Sequence, residues 1–153
     1  MDRFLFRNTV RITAFIVLFL SFGDAFGGND TIPSSPQTAE EWLQRGSIAH
    51  ENEQYDEAIK YYKKAIELNP NYMEAYLVLG TAYYEGKKDY DEAIKCFNKA
   101  VELDPNLAET YVLLAAVYLE QVNGEKVMEC VKKAASLGNK EAQEFLREFG
   151  FTW

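Results

Sequence analysis

Residues 57–70 read EAIKYYKKAIELNP, and residues 92–105 read EAIKCFNKAVELDP. Laid over one another they pair Ala58 with Ala93, Tyr62 with Phe97, Ala65 with Ala100 and Pro70 with Pro105, each 35 residues apart. Within the first stretch Ala58, Ile59, Tyr62, Ala65 and Ile66 recur at helical spacing, which predicts an amphipathic helix. The proline closes it, because the residue before a proline disfavours helical dihedrals. Working upstream, Trp42/Tyr76 and Gly46/Gly80 match at a spacing of 34, so one extra residue is expected in the turn Gly86-Lys87-Lys88-Asp89. Downstream a third copy runs through Tyr111, Leu114, Ala115 and Tyr118, then Val127, Val131 and Ala134. There Ala115 takes the glycine's place and Asn139 the proline's.

Each copy reads as two helices. Small residues such as Gly46 and Gly80 let the two approach closely, and the aromatic from the second helix fills the space. One such unit cannot bury its whole apolar face. Stacked neighbours can, so about three copies is near the stable minimum.

The pattern resembles the tetratricopeptide repeat: an aromatic, Leu-Gly, Tyr, then Ala, Phe, Ala and a closing Pro. Repeat two carries it as Tyr76, Leu79, Gly80, Tyr83, Ala93, Phe97, Ala100 and Pro105. Repeat one departs with Arg45 and Ala49 where Leu and Tyr are usual, and repeat three departs most. The resemblance implies an all-α fold, a right-handed α-solenoid of three antiparallel helix pairs with a C-terminal capping helix. The expected repeats are 39–72, 73–107 and 108–139 within a domain 38–150.

The ends carry stop signals. Thr38-Ala39-Glu40-Glu41 is a capping box, with Thr38 as N-cap and Glu41 reaching back. Gly138 suits a helix C-terminus and Asn139 an N-cap. The helix that follows, 140–149, places Ala142, Phe145, Leu146 and Phe149 on one face and Lys140, Glu141, Glu144 and Arg147 on the other. Phe151 and Trp153 either fold back onto this cap or form an exposed hook; fold-back is favoured, since exposed terminal aromatics invite aggregation.

The resemblance also implies a concave surface lined by the first helices, where the family binds peptides or partner helices. Its rows here are Leu43, Leu77 and Val112; Ser47, Thr81 and Ala116; and His50, Tyr84 and Leu119. Two acidic rows flank them: Glu40, Glu74 and Glu109 at the helix starts, and Glu51, Glu85 and Glu120 at the ends. The helix dipole favours acids in the first turn but not in the last, so the second row is the more informative. The family's grip on a C-terminal carboxylate uses Lys, Arg and Asn in these rows, and none stands there. The expected ligand is a protein or peptide segment with an apolar stripe and basic flanks. The N-terminal linker or a second copy of the chain is the alternative cover for this face.

Composition narrows the classes further. The chain has 153 residues, 48% of them hydrophobic, and a formal net charge of −8. That is enough apolar residue for a core, and the acidic balance argues against nucleic acid as the main ligand. Two cysteines make no disulfide scaffold. Cys96 and Cys130 take equivalent places in successive helices, about 9–10 Å apart if the helices pack normally, beyond the reach of a disulfide. They are expected as part-buried free thiols, with a mixed disulfide to a partner as the alternative. No G-x-x-x-x-G-K-[ST], G-x-S-x-G, H-E-x-x-H or C-x-x-C occurs, and His50 is the sole histidine. No catalytic residue, metal site, cofactor or small-molecule substrate is expected.

The chain opens with Arg3, Arg7 and Arg11, then an apolar run from Ile12 to Phe22, then Gly23-Asp24-Ala25-Phe26-Gly27. This is the order of a signal peptide, 1–27, cleaved after Ala25 or Gly27. The uncharged stretch is about 18 Å long as a helix, short of the roughly 30 Å bilayer core. An uncleaved anchor is the alternative, and with it a membrane location. Residues 28–37 read as a flexible linker, and the sequon Asn29-Asp30-Thr31 within it reads as a chance match. Loss of residues 1–27 removes three arginines and two aspartates, changing the net charge from −8 to −9. The expected protein is therefore an exported, periplasmic or secreted interaction module. The alternative is a membrane-tethered accessory or assembly subunit of an envelope enzyme or transport complex.

Overall fold

The computed structural model describes residues 38–153. The expected export segment, 1–27, and linker, 28–37, lie outside them. The described residues are all-helical, as expected, and fall into two compact units that meet in sequence between Pro105 and Asn106.

The first unit holds α1 (Ala39–Glu51), α2 (Tyr55–Leu68), α3 (Met73–Ala82), a π-helical turn (Tyr83–Lys87) and α4 (Tyr90–Leu103). The capping box forms: the Glu41 N–H donates to Thr38 Oγ1 at 3.2 Å, and the Thr38 N–H donates to Glu41 Oε2 at 3.1 Å. On α2 the buried residues are Ala58, Ile59, Tyr62 and Ala65, with Ile66 half-buried. The prolines act as expected, leaving Asn69 and Asp104 in extended conformation just past α2 and α4. Tyr62 and Phe97 are the largest fully buried side chains. Each stabilises the unit by roughly 1.5–3 kcal/mol through burial. They reach the backbone of the paired first helix because Gly46 and Gly80 stand opposite; a methyl on Gly80 would lie 2.6 Å from the Phe97 ring. Helix α3 packs against both α2 and α4, so its buried residues, Ala75 and Leu77 to Ala82, lie on all sides of it.

The extra residue of repeat two is absorbed by a π-turn that begins at Tyr83 and runs into the expected turn Gly86–Asp89. In repeat one the Gln54 N–H bonds the Ala49 carbonyl, five residues back, and in repeat three Asn123 bonds Tyr118 in the same way. In repeat two the Asp89 N–H bonds Tyr83, six residues back. The additional residue widens the end of the helix into the π-turn, and Lys88 then takes the left-handed conformation at φ 55°. Gly86 belongs to this turn because Tyr55 leaves no room there for a side chain.

The second unit holds α5 (Ala108–Glu120), α6 (Gly124–Ser136) and α7 (Lys140–Glu148). Here Ala115 is buried where the glycines stood, and the smaller Val131 takes the place of Tyr62 and Phe97. Asn139 caps α7 by accepting from the Ala142 N–H at 2.9 Å. Gly138, at φ 93°, ends α6 with a Schellman pair, Asn139 N–H to Ala134 and Gly138 N–H to Ala135. The same motif ends α7, with Phe151 bonding Leu146 and Gly150 bonding Arg147. The backbone therefore does turn back, and the Phe151 ring lies under the Lys132 ammonium at 5.8 Å. The side chains are less covered than fold-back implies. Ala142 and Leu146 are buried, whereas Phe149, Phe151 and Trp153 remain about half exposed.

Candidate functional site

Five of the twelve row residues lie below the surface: Leu43, Leu77, Thr81, Tyr84 and Ala116 are buried. Ser47, His50, Glu85, Val112, Leu119 and Glu120 are half-buried, and Glu51 is exposed. The middle row is chemically quiet. Ser47 Oγ donates to the Leu43 carbonyl at 3.2 Å and Thr81 Oγ1 to the Leu77 carbonyl at 2.9 Å, so both hydroxyl protons are used within their own helices. Ala116 has none.

The structure joins two rows that the sequence reading kept apart. His50 Nε2 lies 3.1 Å from Glu85 Oε2, with only 12% and 16% of the two side chains exposed. A carboxylate only accepts, so Nε2 carries the hydrogen. The other ring nitrogen, Nδ1, lies 3.5 Å from the Tyr62 hydroxyl and accepts from it in the neutral ring. Tyr55 packs edge-on against the imidazole, with centroids 5.2 Å apart. Burial, with Glu51 and Glu85 nearby, pushes the Tyr62 phenol well above its ordinary range, so its proton stays in place as a donor. The π-turn is anchored a second time by Lys87 to Asp56 at 2.7 Å. The signal for the His50–Glu85 pair was its separation of 35, one repeat plus one residue.

Repeat one also departs from its neighbours near the end of its first helix. Ala49 stands where repeats two and three have Tyr83 and Tyr118. A shallow depression of about 350 Å³ opens there, lined by Arg45, Ile48, Ala49, Gln54, Glu57 and Tyr61.

Both cysteines are free and buried. Burial lifts the Cys96 thiol from 9.0 to about 12 and Cys130 to about 11, which disfavours the reactive thiolate. Among the described residues no group of three His, Cys, Asp or Glu side chains is placed to hold a metal ion, and no helix is long and apolar enough to cross a membrane.

Tetratricopeptide repeat models match residues 39–72 and 61–95, and a TPR repeat model matches residues 87–122. The chain belongs to the tetratricopeptide repeat family. A Sel1 repeat model matches residues 23–49. The tetratricopeptide fold is shared with the first TPR of Spaghetti (RPAP3) bound to HSP90 peptide SRMEEVD, at TM-score 0.66 and 24% identity, covering 76% of this chain and 93% of that one. It is shared equally with the Arabidopsis OM64 TPR domain, at TM-score 0.65 and 21% identity, covering 73% and 96%. The MamA protein matches at TM-score 0.62 and 24% identity, covering 76% and 60%. A UDP-N-acetylglucosamine–peptide N-acetylglucosaminyltransferase of Giardia intestinalis is 38% identical over 50 residues. That match takes in 33% of this chain and only 3% of the enzyme. The fold of a tetratricopeptide chain supports protein–protein interaction and is generally a non-catalytic scaffold.

Proposed function

We propose that this protein is an exported, non-enzymatic interaction module. It binds a segment of a partner protein, apolar with basic flanks, through the first-helix residues of its repeats. One observation carries the charge assignment. The rows end in Glu51, Glu85 and Glu120 and contain no Lys, Arg or Asn. The peptide on the Spaghetti domain ends in EEVD; acidic residues of that kind meet like charge here, which costs affinity and suppresses such partners.

The test replaces Glu51, Glu85 and Glu120 with Gln and measures affinity against salt for a synthetic amphipathic peptide with lysine flanks. A weaker affinity and a flatter salt slope are expected, because screening acts on exposed charges within about 10 Å at 0.1 M salt. Unchanged values sink the charge assignment. N-terminal sequencing of the cell-derived protein tests export. A chain starting at Phe26 or Gly28 supports a free exported module, and an intact N-terminus in the membrane fraction supports the tethered accessory subunit instead.

A further inference from the structure

The link between His50 and Glu85 ties a first helix of repeat one to the π-turn of repeat two. It joins the sole histidine of the chain to one carboxylate of the acidic row. We propose that His50 is a proton-operated switch: taking up a proton, it changes the charge that Glu85 offers to a partner and changes its hold on the π-turn.

The geometry specifies the proton's path. In the neutral ring Nε2–H donates to Glu85 Oε2, and Nδ1 accepts from the Tyr62 hydroxyl. Acidification adds a proton from solvent at Nδ1. The Tyr62 oxygen must then accept rather than donate, and its own hydrogen turns away from the ring. The bond to Glu85 becomes an ion pair, shorter and stronger than its neutral counterpart. The ring and carboxylate together go from one negative charge to none. The groups against the ring are Tyr55 and Tyr62 on α2 and Glu85 on the π-turn, and Glu51 follows His50 on its own helix. Asp56 and Lys87 are already paired with one another. Acidification thus leaves Glu51 as the exposed carboxylate of this row within residues 38–105.

The consequence of the switch for a basic partner rests on the function proposed above; the switch itself does not.

Two measurements on the full chain test it. The first follows the ring nitrogens of His50 and the backbone amides of Tyr83–Lys87 by NMR from pH 8 to 5.5. The expected result is an Nε2–H ring at pH 8, with amides that shift in step with the ring as it gains its proton. In Glu85→Gln the amides no longer follow the ring. An Nδ1–H ring at pH 8, or π-turn amides indifferent to the ring, overturns the proposal. So does an amide response that survives in Glu85→Gln. Tyr62→Phe, which keeps the aromatic packing, is expected to preserve the amide response while removing the bond to Nδ1. The second measures the lysine-flanked peptide over the same range. About three- to fivefold weaker binding at pH 5.5 is expected for the unaltered chain and none for His50→Gln. An equal loss in both overturns the charge consequence. A peptide that binds at neither pH contradicts the proposed function, and the ring measurement then decides the switch by itself.

Discussion

Phe97 lies so close to Gly80 that a methyl group on the glycine would sit 2.6 Å from its Cε1 atom. The ring is fully buried and has nowhere to move. Gly80→Ala is therefore expected to destabilise the protein. Overpacking costs about 1–3 kcal/mol, more than the roughly 0.5–1 kcal/mol that alanine gains over glycine within a helix. Gly46→Ala, against Tyr62, is expected to behave alike. Gly124→Ala is the control, because nothing lies within 4 Å of that site. Urea midpoints should fall for the first two and hold or rise for the third; a rise in all three would refute the close-approach reading.

Thr110 is fully buried, and its hydroxyl has no hydrogen-bond partner. Repeat two has Ala75 at this place. A buried orphan of this kind costs about 1–3 kcal/mol, so Thr110→Val, which keeps the shape and removes the hydroxyl, should raise stability by about 1 kcal/mol. Thermal unfolding at a fixed scan rate checks this, and a lower midpoint would mean that the hydroxyl is bonded after all.

Val122 is a β-branched residue at φ 58° and is 71% exposed. The left-handed conformation costs an L-residue roughly 1–2 kcal/mol. Glycine escapes that cost while losing some backbone entropy, so Val122→Gly is expected to gain about 0.5–1 kcal/mol. Chemical denaturation reports the sign directly, and a loss of stability would show that the valine makes a compensating contact.

The thiols predict the alkaline limit. Both cysteines titrate higher in the folded chain, about 12 for Cys96 and about 11 for Cys130 against an ordinary 9.0. The folded state therefore holds the protons longer. Their contribution is fully present below about pH 9 and is lost as the pH climbs through 11 and 12. The raised Tyr62 phenol acts with the same sign. Urea midpoints should be flat between pH 7 and 9 and decline beyond. At pH 8 a thiol reagent should label the native chain far more slowly than the unfolded one; equal rates would place the thiols at the surface.

The repeat was legible because its determinants are local. Gly46 with Tyr62, the Thr38 box and the Asn139 cap each depend on residue size or on hydrogen bonds a few positions away. The caps Asp89 and Asn123, which accept from the Glu92 and Lys126 N–H groups, follow the same rule. The π-turn was less legible. Spacing gives the number of extra residues, but which carbonyl Asp89 bonds depends on how Tyr55 packs over Gly86. The candidate face shows a similar boundary. Equivalence tells which residues share a row, not their depth, so Leu43 and Leu77 are buried while Glu51 is exposed. The His50–Glu85 pair crosses from one repeat to the next, and only the packed helices bring it within bonding distance.

The glutamates of the first helices are expected to select a basic partner segment. Two synthetic peptides with one apolar stripe, flanked by lysines in one and glutamates in the other, test it against the full chain at pH 7.5. Tighter binding of the lysine peptide is expected, with an advantage that shrinks as salt is raised. Equal binding of the two, or preference for the glutamate peptide, contradicts it.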